Sequence, residues 1–400
     1  MRTSKIVIGL ISVCMLSLTL FYLFDYNSKE SSGPIEKWGE PTTFVSLSEE
    51  RLFHFISANM VGKEGGVFTN YLDKDASYEN DLATGHTILS ETVGLTMEYA
   101  VLSDNPLLFE QQIHLLTNYF LDGAFIPWVY PDPTKNPVNS TLDDLRIISA
   151  LLEGSEKFEL PAAKELALDI AEGLLTTNEQ DGWLYDYADK NGKNLAKTIQ
   201  VRYAYLPVLK QLAEELPDYQ PVYENMKKIL NDAPVINGYY AQAYVPKEGG
   251  YQKDSETGEI AISTNMSEQL LTAIYAWDAG LFNRELLDKL TNQLHTSGRL
   301  YAQIDKRSGK MIQETESPAV YALAVMLFEK TGQKDLMQQV LHRLEEWQVS
   351  SDKYESSSSE LKKNATKFDG GYIDLNHLDA YSFDQLKALI AMRISKGEAS

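Results

Sequence analysis

The residues with the most chemistry to offer fall in three short stretches. Ser90-Glu91 sits in the segment Thr84 to Asn105, where the surrounding positions are mostly apolar: Ile88, Leu89, Val93, Leu95 and Met97. A glutamate carried early on such a helix points inward, and burial favours its protonated form, the state that gives a proton to a leaving oxygen. An early glutamate also suits a helix N-terminus, stabilised there by backbone amides and the helix dipole. The second stretch, Asn139 to Ile147, places Asp143 and Asp144 just after Ser140 and reads as an N-cap followed by first-turn carboxylates. The third, Ser263-Thr264-Asn265-Met266-Ser267-Glu268, reads as an N-cap asparagine with Glu268 at capping-box spacing.

Aromatic side chains supply a fourth signal. Trp128, Tyr130, Trp183, Tyr185 and Tyr251, among others, fall in or beside loops between helical segments. Flat sugar faces stack on such rings, so the group predicts substrate-binding residues of a carbohydrate cleft, although each ring could equally anchor its own loop. Other chemistries lack their residues. The six histidines are scattered without metal-ligand spacing, and there is no phosphate loop, dinucleotide fingerprint or nucleophile elbow, so neither a metal nor a cofactor is called for. A net charge of −21 repels nucleic acid and removes it as a partner. The single cysteine, Cys14, lies in an N-terminal apolar run, which leaves the remainder without disulfides, cysteine-bound zinc or a thiol nucleophile.

That run, Ile6 to Phe24, spans roughly 28 Å as a helix, enough to cross a bilayer. Arg2 and Lys5 precede it, which sets the following chain outside the cell. A cleaved signal peptide is the rival reading, but Leu20 to Phe24 offer no small-residue cleavage site. The expected organisation is a signal-anchor over 1–25, a polar linker over 26–44 and one domain over 45–400, held at the cell membrane by a single pass through residues 6–24.

Within that domain, twelve segments carry the helical period, near 45–61, 86–103, 105–121, 141–156, 159–176, 195–216, 219–231, 265–279, 282–294, 316–331, 334–348 and 381–395. Pro106, Pro161 and Pro217 mark tight turns within pairs, and longer loops separate the pairs. Six helical hairpins, none able to bury its apolar face alone, predict an all-α (α/α)6 barrel, a closed toroid. No fixed repeat supports an open solenoid. Ser350 to Lys367 is low in complexity and reads as an exposed loop.

Ser90-Glu91-Thr92-Val93-Gly94-Leu95-Thr96-Met97 resembles glycoside hydrolase family 8, whose motif runs Ser-Glu-Gly-x-Gly-Tyr-Gly-Met. The resemblance implies that Glu91 is the general acid. Thr141 to Ile147 is similar to the family's Thr-Asp-x-Asp-Leu-Asp-Ile run and keeps only its middle aspartate, as Asp144, with Leu142 and Arg146 at the other two. Asp144 is thereby implied as a catalytic-site residue. The family's base is commonly an aspartate opening the eighth helix, where this chain has Asn265, and an amide cannot act as a base. Asp254, in the preceding loop, is then the expected base, with Asn265 orienting water or a sugar hydroxyl. The implied function is an inverting, endo-acting glycosidase that cleaves an extracellular polysaccharide, such as a biofilm exopolysaccharide, at the cell surface, where an exopolysaccharide synthesis complex could be a partner. A non-catalytic polysaccharide-binding barrel and a polysaccharide lyase are the alternatives.

Overall fold

The computed structural model describes residues 37–73, 85–132, 134 and 136–396; the apolar run at 6–24 lies outside them. Among the described residues no helix is long and apolar enough to cross a membrane. All twelve expected helices are present: α1 Leu47–Asn59, α2 Ser90–Leu102, α3 Pro106–Leu115, α4 Thr141–Lys157, α5 Pro161–Thr177, α6 Leu206–Glu215, α7 Tyr219–Asn231, α8 Met266–Asp278, α9 Arg284–Ser297, α10 Pro318–Lys330, α11 Lys334–Trp347 and, after α12 Ser359–Lys367, the last helix α13 Ser382–Lys396. Local chemistry starts and stops them. Asn105 accepts from the Leu108 amide ahead of Pro106, Pro161 and Pro318 open α5 and α10, and Gly298 closes α9 in the left-handed region.

Three sequence expectations are corrected. The segment 195–216 is helical only from Leu206; its first part forms a strand, Ile199–Gln200, and a short 3-10 turn, Val201–Tyr203, because Pro207 fits only the first turn of a helix. The stretch 350–367 contains α12, capped by Ser358 and seated through the buried Ala365. Residues 37–44, read as linker, belong to the packed domain: Trp38 is buried 5.7 Å from Phe53 and donates to the Gly65 carbonyl, and Gly39 bonds to Gln111 and Asn105.

Six helices, α2, α4, α6, α8, α10 and α13, form an inner ring in that order, and α13 packs back on α2 to close it. The outer helices α3, α5, α7 and α11 each return beside the inner helix before them, and α1 lies against α13, so the sixth hairpin joins the two ends of the domain. Position in the ring accounts for composition. The inner α10 is buried continuously from Ala319 to Phe328, whereas the outer α9 buries only Leu286, Leu287, Leu290 and Leu294, one stripe. Because each outer helix reverses direction, every inner helix starts at the same rim. Short two- and three-stranded pairings, such as Ile88–Leu89 with Val129–Tyr130, sit in the loops there.

The join between the chain's ends is polar. Glu49 of α1 is fully buried, 2.7 Å from Nε of Arg393 on α13, and accepts from the Tyr99 hydroxyl of α2 at 2.8 Å. Replacing one member of a buried pair strands the other charge. Glu49→Ala should therefore cost about 3–5 kcal/mol of stability, read by chemical denaturation, with little change for an exposed control such as Glu110→Ala.

Candidate active site

Glu91 stands in the first turn of α2 at the rim, its side chain 24% exposed. The preceding Leu89-Ser90 backbone is fixed by strand pairing and by the Ser90 amide, which donates to the Trp128 carbonyl at 3.0 Å. Instead of an apolar wall, Glu91 meets a cation: Nη1 of Arg146, on α4, donates to Glu91 Oε2 at 3.0 Å and to Asp143 Oδ1 at 3.0 Å. Arg146 and Asp143 are one helical turn apart, so both point the same way, toward α2. They can reach Glu91 because Gly94 has no side chain; a Cβ there would lie 3.1 Å from Cβ of Arg146 and 3.3 Å from the Ile147 amide nitrogen. Gly94 of the Ser-Glu-x-x-Gly motif is thus where α2 and α4 come closest.

Asp143 is nearly buried and also within 3.4 Å of the Ser90 hydroxyl. Burial and the nearby charge of Glu91 push its carboxyl up to about 6, against the pull of Arg146 and of hydrogen bonds from Ser140 and Ser90. The polar set continues inward and sideways. Arg146 interacts electrostatically with Tyr275 on α8, whose ring stacks on Tyr205 at 4.5 Å. Lys387 of α13, also buried, lies 3.7 Å from Glu98 and feels the charges of Arg146 and Glu91; burial pulls its ammonium down. Sideways, Tyr203 feels the charges of Asp143 and of the adjacent Arg202, and Arg202 forms an ion pair with Glu268 on α8.

The structure redistributes several expected site residues. Asp144 does not join Glu91: successive helix residues point about 100° apart, so with Asp143 facing α2, Asp144 turns behind α4 and accepts from Asn139 at 2.7 Å in a buried set with Asn178 and Thr141. Burial raises its carboxyl well above the ordinary range. Asp254 closes its own turn, accepting from the amides of Glu256 and Thr257, and meets Lys306 at 3.3 Å; those partners hold its carboxyl below the ordinary range. Asn265 is exposed, and its side-chain oxygen accepts from the Ser267 amide, the plain N-cap arrangement. Of the aromatic residues, Trp183, Tyr244 and Tyr251 pack in a row, with the Tyr251 hydroxyl on the Ile229 carbonyl of outer helix α7, and Tyr185 is buried. They anchor loops. Trp128 and Tyr130 remain half-buried beside the strand that leads into Glu91. Sequence reasoning gave Asp143 only a first-turn capping role, read Arg146 only as a departure from the family's aspartate and did not single out Arg202; the three-residue spacing of Asp143 and Arg146 was the available signal.

Behind this site, Asp186 is buried and accepts from the Gln200 amide at 2.7 Å and the Thr198 hydroxyl at 3.2 Å, and burial pushes its carboxyl up to about 7.

No family model matches the chain. YdaJ of Bacillus subtilis (strain 168), a candidate lipoprotein, is 24% identical over 342 residues, covering 85% of each chain. A solved alpha-amylase from Clostridium perfringens is similar at 25% identity and a TM-score of 0.75, over 89% of this chain and 99% of that one. Endoglucanase Cel10 of Klebsiella pneumoniae, a family 8 glycosyl hydrolase, shares the fold at 15% identity and a TM-score of 0.56, over 87% and 98%. The barrel therefore shares the fold of these glycoside hydrolases, family 8 among them.

Two outcomes follow from this packing. Gly94→Val should overpack the α2–α4 contact at a cost of about 1–3 kcal/mol and displace Arg146 from Glu91, so that activity falls further than the melting temperature alone accounts for. Asp143 and Asp186 have folded pKa values above those of the unfolded chain, so between about pH 4 and 7 the folded state binds more protons. Stability should fall as pH rises through that window, giving a higher melting temperature at pH 5 than at pH 8, and Asp186→Asn should flatten the dependence.

Proposed function

We propose that this protein is a glycosidase that hydrolyses a polysaccharide outside the cell, cutting within the chain and with inversion, while an N-terminal segment holds it at the membrane. The observation that carries the reading is the Glu91–Arg146–Asp143 set at the mouth of a closed helical ring. Arg146 touches both carboxylates through one nitrogen, so the charge it neutralises can sit on either. Glu91 is partly open to the mouth and is placed to protonate a glycosidic oxygen. Burial and the nearby charge of Glu91 push the Asp143 carboxyl up to about 6.

The similar proteins support the substrate class without fixing its linkage, since one is an alpha-amylase and others are endo-β-1,4-glucanases. A net charge of −21 disfavours polyanionic chains and with them a lyase acting on uronates. The apolar run at 6–24 and the similarity to a candidate lipoprotein support attachment at the membrane, close to polymer as it emerges from the cell.

The purified protein should release reducing ends from at least one of soluble starch, carboxymethylcellulose, xylan and chitosan, with a rapid fall in viscosity as the mark of internal cutting. Glu91→Gln should lower kcat by about a hundred- to ten-thousand-fold while melting close to wild type. kcat/KM should decline as pH rises through about 6, where Asp143 loses its proton, and Asp143→Asn should remove that limb. Undiminished turnover by Glu91→Gln would sink the assignment.

A further inference from the structure

In a ring of six, α2 and α8 stand opposite one another: α4 and α6 separate them on one side, α10 and α13 on the other. Glu91 lies in the first turn of α2 and Glu268 in the first turn of α8, so two carboxylates rise from opposed walls of one rim. Inversion at a sugar carbon needs such a pair, one group protonating the leaving oxygen and the other drawing a proton from water on the opposite face, roughly 6.5–9.5 Å away. Asp143 does not fit the second role. Its Oδ1 shares the Arg146 nitrogen with Glu91, so the two oxygens are at most about 6 Å apart, and α4 adjoins α2 on the same wall.

We propose that Glu268 is the general base of the reaction, an assignment that rests on the glycosidase reading above. Arg202 holds Oε1 and the Ser263 hydroxyl donates to Oε2, which fixes the carboxylate while leaving each oxygen a further lone pair; 26% of the side chain remains open. Other carboxylates near the rim are committed elsewhere. Asp186 is buried with both oxygens in hydrogen bonds, Asp254 closes its own turn, Glu316 pairs with Arg343 of outer helix α11, and Asp384 caps α10 through Ser317 and the Ala319 amide. Arg202 in turn adjoins Tyr203, which feels the charge of Asp143, so one polar chain links the donor wall to the base wall.

The step balances. Water oxygen bonds to the anomeric carbon as its proton passes to Glu268, and the bond from that carbon to the glycosidic oxygen breaks. The electron pair goes to that oxygen, which takes the Glu91 proton. The product is a hemiacetal of inverted configuration, after which Glu268 and Glu91 exchange protons with solvent.

The test uses the full exported domain on whichever of soluble starch, carboxymethylcellulose, xylan or chitosan the wild type cuts. Glu268→Ala and Glu268→Gln should each lose about a hundredfold or more in kcat. Sodium azide should restore turnover of Glu268→Ala by filling the vacated space and giving a glycosyl azide of inverted configuration, and should not rescue Glu268→Gln. Arg202→Met, which breaks the ion pair but keeps the carboxylate, should lose less than Glu268→Ala and gain nothing from azide. Near-wild-type turnover by Glu268→Ala, a loss matched by Arg202→Met with no azide rescue, or a wild-type product of retained configuration by proton NMR would each overturn the assignment of Glu268 alone. A wild type that cuts none of the four polymers would overturn the proposed function, and this inference with it.

Discussion

Everything at the rim depends on the ring being closed, and closure depends on α13 packing against α2. A toroid of inner helices has no free edge only if its last member meets its first, here across nearly 300 residues of chain. The buried Glu49–Arg393 pair with the Tyr99 hydroxyl ties α1, α13 and α2 at that seam. A desolvated ion pair contributes little net stability, but mispairing it costs much, so its use is registration. With the seam set, the six inner helices present their N-termini at one rim.

That arrangement also explains why the interior of the ring is polar near the rim. Glu91, Asp143, Arg146, Tyr275, Lys387 and Glu98 come from four of the six inner helices, and each charge is answered by another within the set. Burial alone would neutralise these groups, and opposed charges restore them. The outcome is a carboxyl at Asp143 pushed up to about 6 beside a partly open glutamate.

The helical hairpins were legible because their apolar period and bounding prolines are local signals, and so was Glu91, a carboxylate in an otherwise apolar segment. Asp143 and Asp144 were not separable in the sequence: one residue of helical rotation decides which faces α2, and only the docking of α4 at Gly94 sets that rotation. The aromatic loops were ambiguous for a related reason. A ring that stacks on sugar and one that pins a loop to an outer helix have the same composition, and the Tyr251 hydroxyl on Ile229 shows the second use. α12 was missed because its nine residues are nearly all polar, with Leu361 and Ala365 the apolar exceptions, and it holds by its Ser358 cap and one buried alanine.

By itself, then, the sequence determined the twelve helices of the ring and their pairing, the placement of one acidic residue among apolar neighbours, and the chemistries for which residues are absent, since all of these follow from period, punctuation and residue type. Tertiary structure alone decided which groups surround that acid. Arg146 lies 55 positions from Glu91 in sequence yet 3.0 Å from it in space, and Glu268 comes to the opposite wall only through the order of helices around the ring. The reason is physical: a side chain's charge state and reach are set by what is packed within a few ångströms, and in a closed ring those neighbours come from helices distant in the chain.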